Sequence, residues 1–247
     1  MRLGIFGASG RVGTRMVELA LSSPGIELAA VFVRPGSRLS GMPVAGRGIE
    51  YRLADAAMKS HCDVIVDFST PAATLGFQAM LGQKPIPMVI GTTGFTPEEE
   101  TQLDAHAAFR PMLIGANFAH GFEAFRRAAI DFAGRMAQAE ASISETYHAR
   151  KKAEPSGTSR QLAGALRDAR SRVMGFAAPE PPITVHREGD TVGVNEIRFD
   201  MGSATAKFVY RVHTLAAYAE GALAAAEWLL SKPRANGRYT QADTLGD

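Results

Sequence analysis

The stretch Gly7-Ala8-Ser9-Gly10-Arg11-Val12-Gly13 constrains this chain more than any other, because it follows the apolar run Leu3-Gly4-Ile5-Phe6 and opens a helical pattern at 11–22. Strand, glycine turn and helix in that order form the first unit of a doubly wound parallel sheet. Gly7 permits the tight turn, Gly10 lets the backbone approach a pyrophosphate, and Gly13 lets the helix lie close on the strand. Backbone amides and the positive end of the helix dipole suit the anion. The turn, with Ser9, Arg11 and Val12 between its glycines, is a candidate dinucleotide site.

The alternation of apolar runs and helical patterns continues. Residues 28–33, 63–67, 87–90 and 112–115 read as strands, and 72–82 and 98–108 as helices. From Gly121 the character changes to an amphipathic stretch 121–137, a strand 141–147, a basic turn, a helix 156–170 and strands at 182–188, 194–200 and 205–213. An alanine-rich helix 216–231 ends at Lys232-Pro233, since proline cannot continue the helical ladder. The polar tail beyond it reads as extended. The expected class is α/β: a Rossmann-type dinucleotide-binding domain from 1–118 with 217–247, and an α+β domain, 119–216, for substrate and oligomerisation.

A chain of 247 residues, 46% of them hydrophobic, can bury such cores without staples. Cys62 is the only cysteine, so no intrachain disulfide forms and the cytoplasm is the expected compartment. Beside a strand it reads as inert packing. The net charge of +2 argues against a polyanionic partner, and no apolar run approaches a membrane span. The six histidines show no metal-ligand spacing. Neither metal, nucleic acid nor membrane is expected.

Cofactor choice is written after the second strand, Ala30-Val31-Phe32-Val33-Arg34-Pro35-Gly36-Ser37-Arg38. An acidic residue there would bond the ribose diol of NAD, but none is present. Arg34, with Ser37 or Arg38 nearby, suits the extra phosphate of NADP. NADPH is therefore the expected cofactor, with NADH left open.

Four further segments complete a pattern: Asp67-Phe68-Ser69-Thr70-Pro71, Gly91-Thr92-Thr93-Gly94-Phe95, Ala116-Asn117-Phe118, and Pro155-Ser156-Gly157-Thr158 behind a basic run preceded by Glu145 and His148. In order and spacing the chain resembles the 4-hydroxy-tetrahydrodipicolinate reductase family of bacterial lysine and diaminopimelate synthesis, formerly called dihydrodipicolinate reductase. The likeness is close through Thr158 and looser beyond it. It implies hydride transfer from a nicotinamide to the carbon-nitrogen double bond of a cyclic imine-type dicarboxylate, usually in a homotetramer joined through the sheet of the second domain. It also implies that Phe68, Ser69, Gly91, Thr92, Thr93, Ala116, Asn117 and Phe118 contact the cofactor, with Gly91 to Thr93 and Ala116 to Phe118 around the nicotinamide and its ribose.

Anchored on Pro155 to Thr158, Lys151 falls on the family's catalytic lysine and His148 on its substrate-binding histidine. Gly157 and Thr158, at a helix start, suit a substrate carboxylate together with Ser156. Tyr147 stands where the family has a proton-donating histidine, and Ala153 replaces an aspartate, with Glu154 beside it. Tyr147 is taken as the second catalytic candidate, although a phenol is a weaker acid than imidazolium. The loop before the strand at 194 is short, Arg187-Glu188-Gly189-Asp190 reads as a hairpin turn, and Thr214-Leu215-Ala216-Ala217 replaces an expected arginine. His120 is a secondary candidate. With one firm cation left for two carboxylates, a different imine or enamine substrate competes with the family's own, and a catalytically silent nucleotide-binding protein is a third reading.

Overall fold

The computed structural model describes residues 1–44, 46, 48–54 and 62–246. Residues 45, 47, 55–61 and 247, which fall in the range expected for the dinucleotide-binding domain, lie outside the described residues. The chain divides into two units, Met1–Ala119 with Leu215–Asp247, and His120–Thr214.

In the first unit, β1 (Arg2–Phe6), β2 (Glu27–Phe32), β3 (Tyr51–Arg52), β4 (Val64–Asp67), β5 (Met88–Ile90), β6 (Pro111–Ile114) and β11 (Gly237–Tyr239) form one parallel sheet, in the order β11-β6-β5-β4-β1-β2-β3. Helices α1 (Arg11–Ser22) and α6 (Ala216–Leu230) cover one face; α2 (Pro71–Leu81) and α3 (Pro97–Ala107) cover the other. The pleat sends alternate side chains to opposite faces. Leu3, Ile5, Val64, Val66, Val89 and Leu113 therefore meet α1 and α6. Ile65, Met88, Ile90 and Met112 meet α2 and α3. Burial on both faces explains why these strands read as unbroken apolar runs.

Two edge strands escape the sequence pattern. β3 and β11 are too short to show alternation, and pairing alone defines them. The tail beyond Pro233 is not extended throughout as expected: residues 237–239 pair in parallel with β6, and Asp243–Leu245 form a 3-10 turn. Arg238 adds ion pairs of 2.8 Å to Glu100 and Asp104 of α3, and Tyr239 meets the Trp228 ring edge-on at 5.6 Å.

In the second unit, β7 (Glu140–Tyr147), β8 (Ile183–Arg187), β9 (Gly193–Asp200) and β10 (Thr205–Val212) form a mixed sheet, in the order β10-β9-β7-β8. β8 lies parallel to β7, which requires a crossover, and α5 (Gly157–Met174) supplies it. β9 runs antiparallel to β7 and β10. α5 runs a turn past its expected end and stops at Gly175, whose φ of +75° suits glycine. Together with α4 (Phe122–Arg135) it packs over Ile143, Ile197 and Phe199. Along β7 the inward positions are Ala141, Ile143, Glu145 and Tyr147. The same period that builds the apolar core thus carries a carboxylate and a phenol into the layer beneath the start of α5. Among the described residues, no helix is long and apolar enough to cross a membrane.

Candidate active site

The strand order of the first sheet reverses between β1 and β4, and the carboxyl ends of two strands diverge at such a point and leave a crevice. Gly7 turns the chain there with φ +85°. A Cβ on Gly7 would strike the Phe68 carbonyl oxygen, and one on Gly13 would strike the Gly7 carbonyl. Gly10, the N-cap of α1, brings no side chain to the helix start, so an anion meets the dipole unopposed. Beside the turn lies a cavity of about 900 Å³, lined among others by Ser9, Gly10, Arg34, Ser37 and Arg38. Among the described residues, no Asp or Glu lines it. Backbone at the turn and arginine at the rim fit a dinucleotide with its phosphates.

Asp67, the last residue of β4, binds the neighbouring loops together. Its buried carboxylate accepts from Thr74 Oγ1 at 2.7 Å and from Thr92 Oγ1 at 3.2 Å. Thr92 Oγ1 in turn accepts from the Ser69 N–H at 2.9 Å. Burial pushes the Asp67 carboxyl up to about 6, against the lowering effect of hydrogen bonds from Ser69, Thr74 and Thr92. The Phe68 ring lies over Gly91, where a Cβ would enter it, and meets Phe118 edge-on at 5.7 Å. Asn117 is buried, and its Oδ1 accepts from the Ala119 N–H at 2.9 Å. Thr93 is exposed, as are Ser9 and Arg11 at the glycine turn, where Val12 is half-buried. Phe68, Ser69, Gly91, Thr92 and Ala116 to Phe118 thus meet in one region of this unit.

In the second unit, the carboxylate of Glu145 is fully buried. One oxygen accepts from the Ser156 N–H at 3.0 Å, Ser156 Oγ at 2.5 Å and Ser159 Oγ at 2.6 Å. The other accepts from Arg187 Nη2 at 2.9 Å. Burial alone would raise this carboxyl, but the hydrogen bonds from Ser156, Ser159 and Arg187 outweigh it and hold it below its ordinary value. Ser156 is also the N-cap of α5, taking the Ser159 N–H at 3.2 Å.

Tyr147, 5% exposed, directs its hydroxyl to Asn195 Oδ1 at 3.4 Å, and Asn195 donates to Ser159 Oγ at 3.1 Å. Burial, assisted by the Glu145 charge and opposed by hydrogen bonds with Ser156, Thr158 and Asn195, holds the phenol above its ordinary value. The Lys151 ammonium sits over the Tyr147 ring, 3.4 Å from its centroid. The half-buried Lys151 and His148 share a turn closed by the Lys151 N–H to His148 C=O bond of 3.0 Å. Gly157 and Thr158 open α5 beside them. His120 is exposed, and its carbonyl accepts from the Tyr210 hydroxyl at 2.6 Å.

Sequence reasoning missed three contributors. Asp67 looked like a strand end, and Asn195 like an interior strand residue. Arg187 was read into a hairpin turn, yet it is the last residue of β8, and only the turn proper begins at Glu188. The register shows what the sequence could not: Tyr147 lies opposite Arg187 on one side, and Glu145 opposite Asn195 on the other.

The chain is 32% identical over 252 residues to the 4-hydroxy-tetrahydrodipicolinate reductase of Methanocorpusculum labreanum, covering 98% of both. It is 33% identical over 260 residues to that of Wolinella succinogenes, covering 99% of both. A dipicolinate-bound dihydrodipicolinate reductase from Paenisporosarcina sp. TG-14 shares the fold, with a TM-score of 0.73 over 97% of both chains at 19% identity. The family model for the dihydrodipicolinate reductase N-terminus matches residues 1–118, that for its C-terminus matches residues 121–245, and the chain therefore belongs to the dihydrodipicolinate reductase family.

Proposed function

We propose that this chain reduces the carbon-nitrogen double bond of 4-hydroxy-tetrahydrodipicolinate in lysine and diaminopimelate synthesis, with NADPH preferred over NADH. The observation that carries the reading is the Lys151 ammonium held on the Tyr147 ring beside the start of α5, a cation and an anion-binding helix end on one short segment. The names of the relatives support the substrate. The arginines at the rim, with no carboxylate among the described lining residues, support NADPH.

Gly7 to Gly13 hold the pyrophosphate, Arg34 with Ser37 and Arg38 the 2′-phosphate, and Phe68, Ser69, Gly91 to Thr93 and Ala116 to Phe118 the nicotinamide end. When bound, the nicotinamide supplies the hydride. In the second unit, the Gly157 and Thr158 amides, with His148 and Ser156, receive a substrate carboxylate. Lys151 gives the proton that the imine nitrogen requires as its carbon gains hydride. A phenol held above its ordinary pKa is a poor acid, so Tyr147 serves as the platform for Lys151. The face of the second unit's sheet opposite α4 and α5, which carries Val209 at 54% exposure, suits that sheet to join a homotetramer. We place the protein in the cytoplasm.

The test is turnover. The purified chain is mixed with NADPH and enzymatically generated 4-hydroxy-tetrahydrodipicolinate, and the nicotinamide absorbance is followed, with Lys151→Ala as the control. Rapid oxidation that the variant loses supports the assignment. NADPH binding without oxidation sinks it and redirects the search to other cyclic imines.

A further inference from the structure

Arg187 ends β8 directly opposite Tyr147. Its guanidinium turns Nε and Nη2 toward one segment. Nε donates to the Lys152 carbonyl at 2.9 Å, the two Nη2 N–H groups are shared among the Lys152 carbonyl at 2.6 Å, the Glu154 carbonyl at 2.8 Å and a carboxylate, and Nη1 donates to the His186 carbonyl at 2.7 Å. The same Nη2 meets Glu145 at 2.9 Å, in a pair whose side chains are only 11% and 0% exposed. On its other oxygen Glu145 holds Ser156, at the far end of that segment. Both ends of the stretch between Lys151 and α5 are therefore tied to one buried ion pair.

Peptide carbonyls are fixed by a planar fork better than by any other side chain, because several N–H groups diverge from one rigid plane. Lys151 immediately precedes the first carbonyl so held. The guanidinium carbon also lies 5.8 Å from the centroid of the Tyr147 ring, on which the Lys151 ammonium rests. A loop fastened on one side only would leave a four-carbon side chain free to swing off that ring, since lysine has many rotamers of similar energy. Such a misplacement costs far more in rate than in stability.

We propose that Arg187, through its ion pair with Glu145, is a positioning residue that fixes Lys151 for proton delivery; this rests on the reading of Lys151 given above. The two act in series, so their effects on kcat are not independent.

The experiment is a double-mutant cycle in the full chain, with Arg187→Lys, Lys151→Ala and the pair assayed for kcat and for KM of NADPH. Arg187→Lys keeps the charge and loses the fork. It is expected to lower kcat about 10- to 100-fold with KM for NADPH unmoved, on the scale of a catalytic group misplaced by about 1 Å. In the Lys151→Ala background the same substitution is expected to change kcat by less than about twofold. An equal loss in both backgrounds overturns the proposal and leaves Arg187 a structural residue. Undiminished turnover in Lys151→Ala alone sinks the Lys151 assignment, and the proposal with it. Should Arg187→Lys not fold, Glu145→Gln, which keeps the side-chain shape, enters the cycle with the same outcomes.

Discussion

The Lys151 ammonium nitrogen lies 3.4 Å from the centroid of the Tyr147 ring, closer than the ring is to any other cation named here. A cation held on a desolvated aromatic face gains about 2 kcal/mol. The ring supplies that attraction, whereas the hydroxyl faces away toward Ser156, Thr158 and Asn195, the last at 3.4 Å. Tyr147→Phe is expected to cost less than about tenfold in kcat, and Tyr147→Ala about 30-fold or more. Steady-state kinetics on the two variants check this, and equal losses in both would restore the hydroxyl as the acting group.

The proposed preference for NADPH turns on Arg34, which lines the nucleotide cavity. Charge-assisted hydrogen bonds to a phosphate contribute about 1.5 to 3 kcal/mol. Arg34→Ala is expected to raise KM for NADPH roughly 10- to 100-fold and to leave KM for NADH within about twofold. Parallel losses with both cofactors would remove Arg34 from the 2′-phosphate.

Asp67 makes the first unit sensitive to pH. Burial raises its folded-state pKa to about 6, above an ordinary value of 3.8. Between those values the folded chain binds the proton and the unfolded chain does not, so this contribution is complete below about pH 4 and is lost as pH rises through 6. Two pKa units correspond to roughly 3 kcal/mol. Urea unfolding of the wild-type chain and Asp67→Asn at pH 4 to 8 is expected to show the wild type losing up to about that amount relative to the variant. A constant difference across the range would overturn the assignment.

Two helical glycines are expected to respond oppositely to alanine. A Cβ on Gly221 of α6 would overlap the Phe118 carbonyl, beside the expected nicotinamide contacts, whereas Gly134 of α4 has nothing within 4 Å. Gly221→Ala should destabilise by about 1 to 3 kcal/mol and weaken NADPH binding. Gly134→Ala should stabilise by about 0.5 to 1 kcal/mol, because it removes only backbone freedom from the unfolded chain. Denaturant midpoints and cofactor titrations separate the two.

The glycine turn and the unbroken apolar runs of β1, β4 and β5 were legible because each is a local pattern whose period or spacing has few physical solutions. The helices were legible to within a turn for the same reason, and Pro233 marked the end of α6. β3 and β11 carry no pattern of their own, since two or three residues become a strand only when an edge receives them.

The candidate site divides along the same line. Lys151 and Ser156 to Thr158 were singled out by the resemblance of the Pro155 to Thr158 segment to the family's motif, which lies within one short stretch of chain. What lies around Glu145 was not. Arg187 is 42 residues away and Asn195 50 residues away, and both reach Glu145 or its partners only through the pairing of β7 with β8 and β9. The sequence by itself determined the longer elements and which chemical groups they carry. The tertiary structure decided which of those groups share a buried carboxylate, because strand register is set by the packing of a whole face and is invisible to any one strand.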